Sequence, residues 1–159
     1  MADDIAPFAG ELEHAGLARL LRYWRRIGGG ALPSRSDLDP IDIPDLLKNL
    51  VLVDVEHAPV RFRVRLSGTR VDDMFGRNYT GCYLDDIHSG YFERDILQDY
   101  AEVVALKRPH LASRSILLKD ASWLHYERLL LPLSSDGLSV DMLLGGVFGE
   151  FAETAESAA

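Results

Sequence analysis

Asp85 and Asp86 stand side by side, with His88 two residues beyond them and the chain's single cysteine, Cys82, three residues before. Two carboxylates and an imidazole in one short loop are groups that proton-transfer chemistry uses, as in isomerases that set a carboxylate in a buried cavity. The same pattern has a plainer reading. Adjacent acids ahead of a helix favour turn and helix-start geometry, where the helix dipole stabilises negative charge. The plainer reading is the expectation, and a small cavity isomerase or hydrolase using Asp85, Asp86 or His88 is the alternative.

The rest of the chemistry-bearing set is sparser. A reactive thiol needs a depressed pKa and access, and no histidine or lysine adjoins Cys82 in sequence, so it is expected as a small buried apolar residue. Gly76 and Gly81 have the spacing of phosphate-loop glycines, but Cys82 and Tyr83 follow instead of Lys and Ser or Thr, so the nucleotide reading fails. Histidines 14, 57, 88, 110 and 125 are scattered, without the close pairs of a zinc site, and no metal is expected. A haem needs only one protein histidine; His88 is the candidate, set against its reading as a helix-start residue. Tyr126 and Arg128 fall on one face of a strand, with Trp123, His125 and Glu127 on the other. Either face suits a pocket lining, polar residues at a strand centre more often make cross-strand pairs, and Arg128 also suits the acids of the preceding loop; Tyr126 and Arg128 are named as candidate polar ligand contacts.

These residues need a scaffold, and hydrophobic periodicity supplies it. Leu17, Leu20, Leu21, Trp24 and Ile27 recur at steps of three and four, which predicts a helix over 12–27 that Gly28, Gly29 and Gly30 end. Its stripe suits either the domain itself or a second copy of the helix, making Leu17, Leu20, Leu21 and Trp24 candidate dimer contacts. Arg19, Arg22, Arg25 and Arg26 form its solvated face. Pro33, Pro40 and Pro44 then punctuate a connector. In VRFRVRLSG, Val60, Phe62, Val64 and Leu66 alternate with Arg61, Arg63 and Arg65, predicting a half-solvated strand paired with VLVDVE. A short helix over TRVDDMF buries Val71, Met74 and Phe75. A longer one over 90–107 carries Phe92, Ile96, Tyr100, Val103 and Val104. Three further strands close the chain as a meander.

The 159 residues carry a formal charge of -8, which argues against nonspecific nucleic-acid binding because phosphate contacts need unopposed Lys and Arg. With 47% hydrophobic and 26% charged residues, the chain has the composition of an ordinary globular domain. One cysteine excludes an internal disulfide, and no apolar run is long enough for a membrane span or a signal-peptide core, so the cytoplasm is expected. The expected organisation is a flexible N-terminus over 1–11, an N-terminal helix over 12–30, a folded domain over 31–150 and a flexible acidic tail over 151–159.

FRVRLSGTRVDDMFGRNYTGCYLDDI, a connecting helix and then YERLLLPLSSDG together resemble the PAS fold. The stretch LPSRSDLDPIDIPDLLKNLVLVD, leading into LSGTRVDDMFGRNYTG, is similar more narrowly to a family of small single-domain bacterial PAS-like proteins. The resemblance covers about residues 20–149. It implies an α+β fold with a five-stranded antiparallel sheet, helices over one face and an N-terminal flanking helix. It further implies a ligand pocket between sheet and helices, with Phe62, Val64, Met74, Phe75, Tyr100, Tyr126 and Arg128 as candidate lining residues. No catalytic residue and no required cofactor are assigned. Flavin-photoreceptor PAS domains carry an Asn-Cys-Arg-Phe-Leu type motif; TGCYLDD lacks it, so a flavin adduct is not expected. The resemblance implies a non-catalytic sensory module that acts by protein–protein contact on a signalling protein such as a histidine kinase or another regulator, with a small-molecule ligand and a homodimer as further expectations.

Overall fold

A computed structural model describes residues 12, 14–87, 94–118 and 120–152. Five strands, β1 (Leu50–Glu56), β2 (Arg61–Ser67), β3 (His110–Leu117), β4 (Trp123–Leu133) and β5 (Met142–Ala152), form one antiparallel sheet in the spatial order β2-β1-β5-β4-β3. The helices among the described residues are α1 (Ala15–Gly28), α2 (Thr69–Phe75) and α3 (Arg94–Leu106). This is the five-stranded α+β arrangement expected from the sequence. The expected flexible N-terminus and the tail from residue 153 on lie outside the described residues, as do His88 and Phe92; β5 itself continues through Phe151 and Ala152.

Side chains alternate across a strand, so an uninterrupted apolar run such as Leu129–Leu133 must bury both faces. It does. On one face Val51, Val53 and Val55 of β1 join Leu124, Tyr126 and Leu130 of β4 beneath α2 and α3. On the opposite face Leu129, Leu131 and Leu133 of β4 join Leu52 and Leu144 beneath α1.

The amphipathic stripe of α1 therefore faces the chain's own sheet. Leu17 and Leu20 are fully buried, Leu21 and Trp24 nearly so, and the Trp24 indole N–H donates to the Pro132 carbonyl at 2.9 Å. This corrects the expectation of Leu17, Leu20, Leu21 and Trp24 as dimer contacts: sheet residues of the same chain already cover them. The helix is closed at its start by His14, whose Nδ1 accepts from the Gly16 N–H at 3.0 Å, and at its end by Gly29 in the left-handed conformation at φ 57°. Arg22, Arg25 and Arg26 form the solvated face, while Arg19 pairs with Asp45.

β2 departs from the strict alternation predicted for it. Val53 pairs with Val64, but Leu52 pairs with Leu66, so Arg65 is an extra residue in the ladder. Phe62 and Val64 point into the core, whereas Leu66 is turned to the other face and is 56% exposed. Val60 lies in the turn before the strand and is also exposed. Arg65 reaches Asp54 at 3.2 Å.

Gly68 joins β2 to α2 where the backbone of a 3-10 turn, Leu47–Asn49, crosses it. A Cβ here would lie 2.3 Å from the Lys48 carbonyl oxygen and 2.5 Å from that of Leu47. Both are backbone atoms and cannot rotate away. Gly68→Ala is expected to destabilise the protein by about 3 kcal/mol, the upper range for overpacking, read as a lower urea midpoint with an unchanged slope. Leu20→Glu places an unpaired carboxylate under α1; the expected result is loss of cooperative thermal unfolding, not a change of subunit number.

Candidate ligand-binding site

The inward face of α3 presents Ile96, Tyr100 and Val103 to the sheet, and beside Tyr100 it presents an acid, Asp99, only 9% exposed. Burying a carboxylate is costly unless it is paired and hydrogen-bonded. Two arginines do this. Arg114 of β3 and Arg128 of β4 both donate to Asp99 Oδ2, the second at 2.8 Å, and Arg128 is itself 3% exposed. Burial alone would raise the Asp99 pKa, but the hydrogen bonds from Arg128 and Arg114 outweigh it and hold the carboxyl below its ordinary value. The guanidinium of Arg128 also sits 5.4 Å from the Tyr100 ring centroid.

His110, at the start of β3, completes the cluster, its Nε2 3.6 Å from Asp99 Oδ1 and 3.6 Å from Glu102 Oε2. Burial pushes the imidazole pKa down, against the upward pull of Asp99. Asp99, Glu102 and His110 bring their ligand atoms within 4.8 Å of one another, close enough to hold a metal ion, though Arg114 and Arg128 already occupy the Asp99 carboxylate. The scatter of histidines in the sequence gave no sign of this grouping, which packing of α3 on β3 creates.

Next to this cluster a cavity of about 50 Å³ lies between the sheet and the helices, walled by Val64, Phe75, Tyr100, Tyr126 and Arg128 among others. Five of the seven candidate lining residues therefore meet there. Phe62 and Met74 do not; they belong to the same core, with the Phe62 ring tilted against that of Tyr100 at 5.5 Å between centroids. Sequence reasoning missed Ser67, Asp72 and Arg77, which also line the space. The Tyr126 hydroxyl is strongly desolvated, raising its pKa to about 12, and burial raises that of Tyr100 too; both phenols stay protonated at neutral pH. Arg128 Nε is buried without a hydrogen-bond partner among the described residues.

The loop acids are elsewhere. Asp85 Oδ1 and Oδ2 accept from Arg61 at 3.0 and 3.1 Å, and Asp86 accepts from the same guanidinium at 3.1 Å, on the outside of β2. Their side chains are 46% and 68% exposed, and neither lines the cavity. The acid–base alternative required them to point inward; they serve Arg61 instead, and His88 lies outside the described residues. Cys82 is half-buried, not enclosed as expected, with Sγ 4.0 Å from Arg77 Nη2 in an exterior depression. Its segment lies along the outer edge of β2: Gly81 N–H donates to the Val64 carbonyl, and Val64 N–H to that of Cys82. Gly76 and Gly81, at φ 84° and 91°, supply the turns that this course needs.

A sheet with a small cavity under a short and a long helix is the arrangement of a PAS domain, and a family model described as PAS domain matches residues 12–148. The chain belongs to the PAS domain family. Among solved structures, a Light-Oxygen-Voltage domain studied with a flavin analogue superposes at TM-score 0.52 with 12% identity, over 69% of this chain and 82% of that one. The Rhodobacter sphaeroides LOV protein gives TM-score 0.50 and 17% identity over 70% and 68%. An RNA-binding Light-Oxygen-Voltage receptor gives TM-score 0.50 and 13% over 73% and 35%. At these identities the likeness is one of fold. No curated protein matches the chain. No helix among the described residues is long and apolar enough to cross a membrane.

The ion cluster sets a pH dependence. Because the folded-state pKa of Asp99 is depressed, its contribution is complete above the unfolded value, about 3.9, and is lost as pH falls through the lower folded value. Stability should fall on acidification below about pH 4, and Asp99→Asn should flatten that fall in urea titrations between neutral and acidic pH. An equally steep fall in the variant would show that Asp99 is not the group responsible. At neutral pH, Asp99→Ala should cost about 3–5 kcal/mol, because Arg128 remains buried without its counter-charge.

Proposed function

We propose that the protein is a sensory regulator in which a compact ligand in the cavity is read by Arg128 and reported through α3 to a signalling protein. The observation that carries this reading is the position of Arg128. Its guanidinium lines the cavity with Nε unpartnered among the described residues, while its hydrogen bond to Asp99 leads directly into α3. A ligand with a hydrogen-bond acceptor or negative charge would compete with Asp99 for that guanidinium. Loss of that contact would leave Arg114 as the remaining arginine tie from Asp99 to the sheet, and a shift of α3 that follows is a means by which one site biases another. The receiver in this reading is a histidine kinase or another regulator in the cytoplasm, contacted by one copy or by a homodimer.

A flavin-bound cavity is not part of this reading. Ligand sites usually enclose about 300–1,000 Å³, against about 50 Å³ here, and Cys82 lines a separate exterior depression instead of the cavity wall. A cysteinyl adduct is therefore no part of this reading.

Native mass spectrometry of freshly purified protein is the test. The expected spectrum shows a small retained mass on the wild-type chain that Arg128→Leu lacks, and it reports subunit number as well. A wild-type spectrum without adduct, together with no shift of α3 amide resonances across a library of small acids and amides, would overturn the reading.

A further inference from the structure

The opposite face of the sheet holds a second and larger recess, independent of the cavity reading above. It encloses about 520 Å³ between the Pro-punctuated connector and the β1–β2 edge, within the range that small-molecule sites occupy. Leu38, Ile43, Leu47, Leu50, Leu52 and Leu66 make most of its wall. Leu47 and Leu66 are 40% and 56% exposed, and Leu66 is there only because Arg65 shifts the register of β2. Clustered exposed apolar groups of this kind mark a binding surface.

The polar groups on the wall narrow the class of occupant. The Ser67 hydroxyl is engaged by Asp72, the Gly68 N–H by the Leu50 carbonyl, and one oxygen of the Asp39 carboxylate by the Ile41 N–H, so that one acid stands on the wall against its cations. What remains is the Thr69 hydroxyl and two cations, Arg35 and Lys48, neither of which forms an ion pair or side-chain hydrogen bond with another described residue. A peptide would bring many amides and find few partners for them, and unpaired buried amides are costly. A hydrocarbon chain ending in a single anionic group matches the wall in both respects: methylenes against leucines, the charge against Arg35 and Lys48.

We propose that this groove binds a free single-chain fatty carboxylate, with the chain along Leu47, Leu52 and Leu66 and the carboxylate at Arg35 and Lys48. Monomeric decanoate, below its micelle concentration, is the probe, followed by calorimetry and two-dimensional amide NMR on the full chain. Decanoate should shift the resonances of Leu47, Leu66 and Gly68 and leave Tyr126 unmoved. The double variant Arg35→Glu, Lys48→Glu should bind about tenfold more weakly, the loss of one charge-assisted contact. Leu66→Glu should abolish binding; should it fail to fold, Leu47→Glu on the facing wall answers the same question. Uncharged 1-decanol should bind more weakly than decanoate. Equal affinity for decanol, shifts centred on Tyr126 and Arg128, or binding to anionic vesicles with no response to monomeric decanoate would each overturn the proposal. The second of these would point to the interior cavity and the last to a membrane surface.

Discussion

The central strands β4 and β5 are apolar on both sides, and a sheet with two oily faces cannot stay in water with one of them bare. Covering each face is the constraint from which the remaining architecture follows. Helices α2 and α3 take the face carrying Val51, Val53, Tyr126 and Leu130; α1 takes the face carrying Leu129, Leu131 and Leu133. A fully buried Leu or Ile side chain gains about 1.5–3 kcal/mol over an exposed one, so α1, with several such residues, is as much a part of the core as the helices on the other side. Two glycines permit the close fit there: a Cβ at Gly146 would lie 2.6 Å from a Leu20 methyl, and one at Gly16 would lie 2.5 Å from the Phe148 ring.

The strands and helices were legible because period two and period three to four are written in single side chains. The five strands, the punctuating prolines and the three helices all follow from that pattern. The destination of α1 was open in the helix alone, since its stripe of Leu17, Leu20 and Trp24 fits any oily partner. The answer lay in the run LLLPL, whose lack of alternation already requires a cover on each side. Periodicity put Tyr100 on the apolar stripe of its helix and Tyr126 and Arg128 on one shared face of a strand, but it says nothing about which acid would meet the arginine.

Asp99 was overlooked because an apolar stripe draws attention to Ile96, Tyr100 and Val103 and passes over what lies between them. A signal was present. Asp99 is three residues after Ile96 on the buried side of a helix, and Arg128 falls on the inward parity of a core strand; two such charges in one small domain demand each other. The joining of His110 and Glu102 to that pair, by contrast, depends on how α3 crosses the start of β3, and no local pattern encodes it. Asp85 and Asp86 failed the opposite way: their adjacency suggested chemistry, whereas their neighbour across the fold, Arg61, gives them a structural task.

The additional residue in β2 reaches further than its own position. Without Arg65 in the ladder as a supernumerary member, strict alternation would send Leu66 inward and Ser67 outward. With it, the two exchange places: a leucine is wetted, and a serine reaches Asp72 at the base of α2. Frame, a property of the strand with no signature in any one side chain, thus decides which of two neighbours meets solvent. Substituting Arg65 leaves that frame intact, whereas a change in the number of residues between Val64 and Gly68 resets it, so this short span is more sensitive to length than to composition.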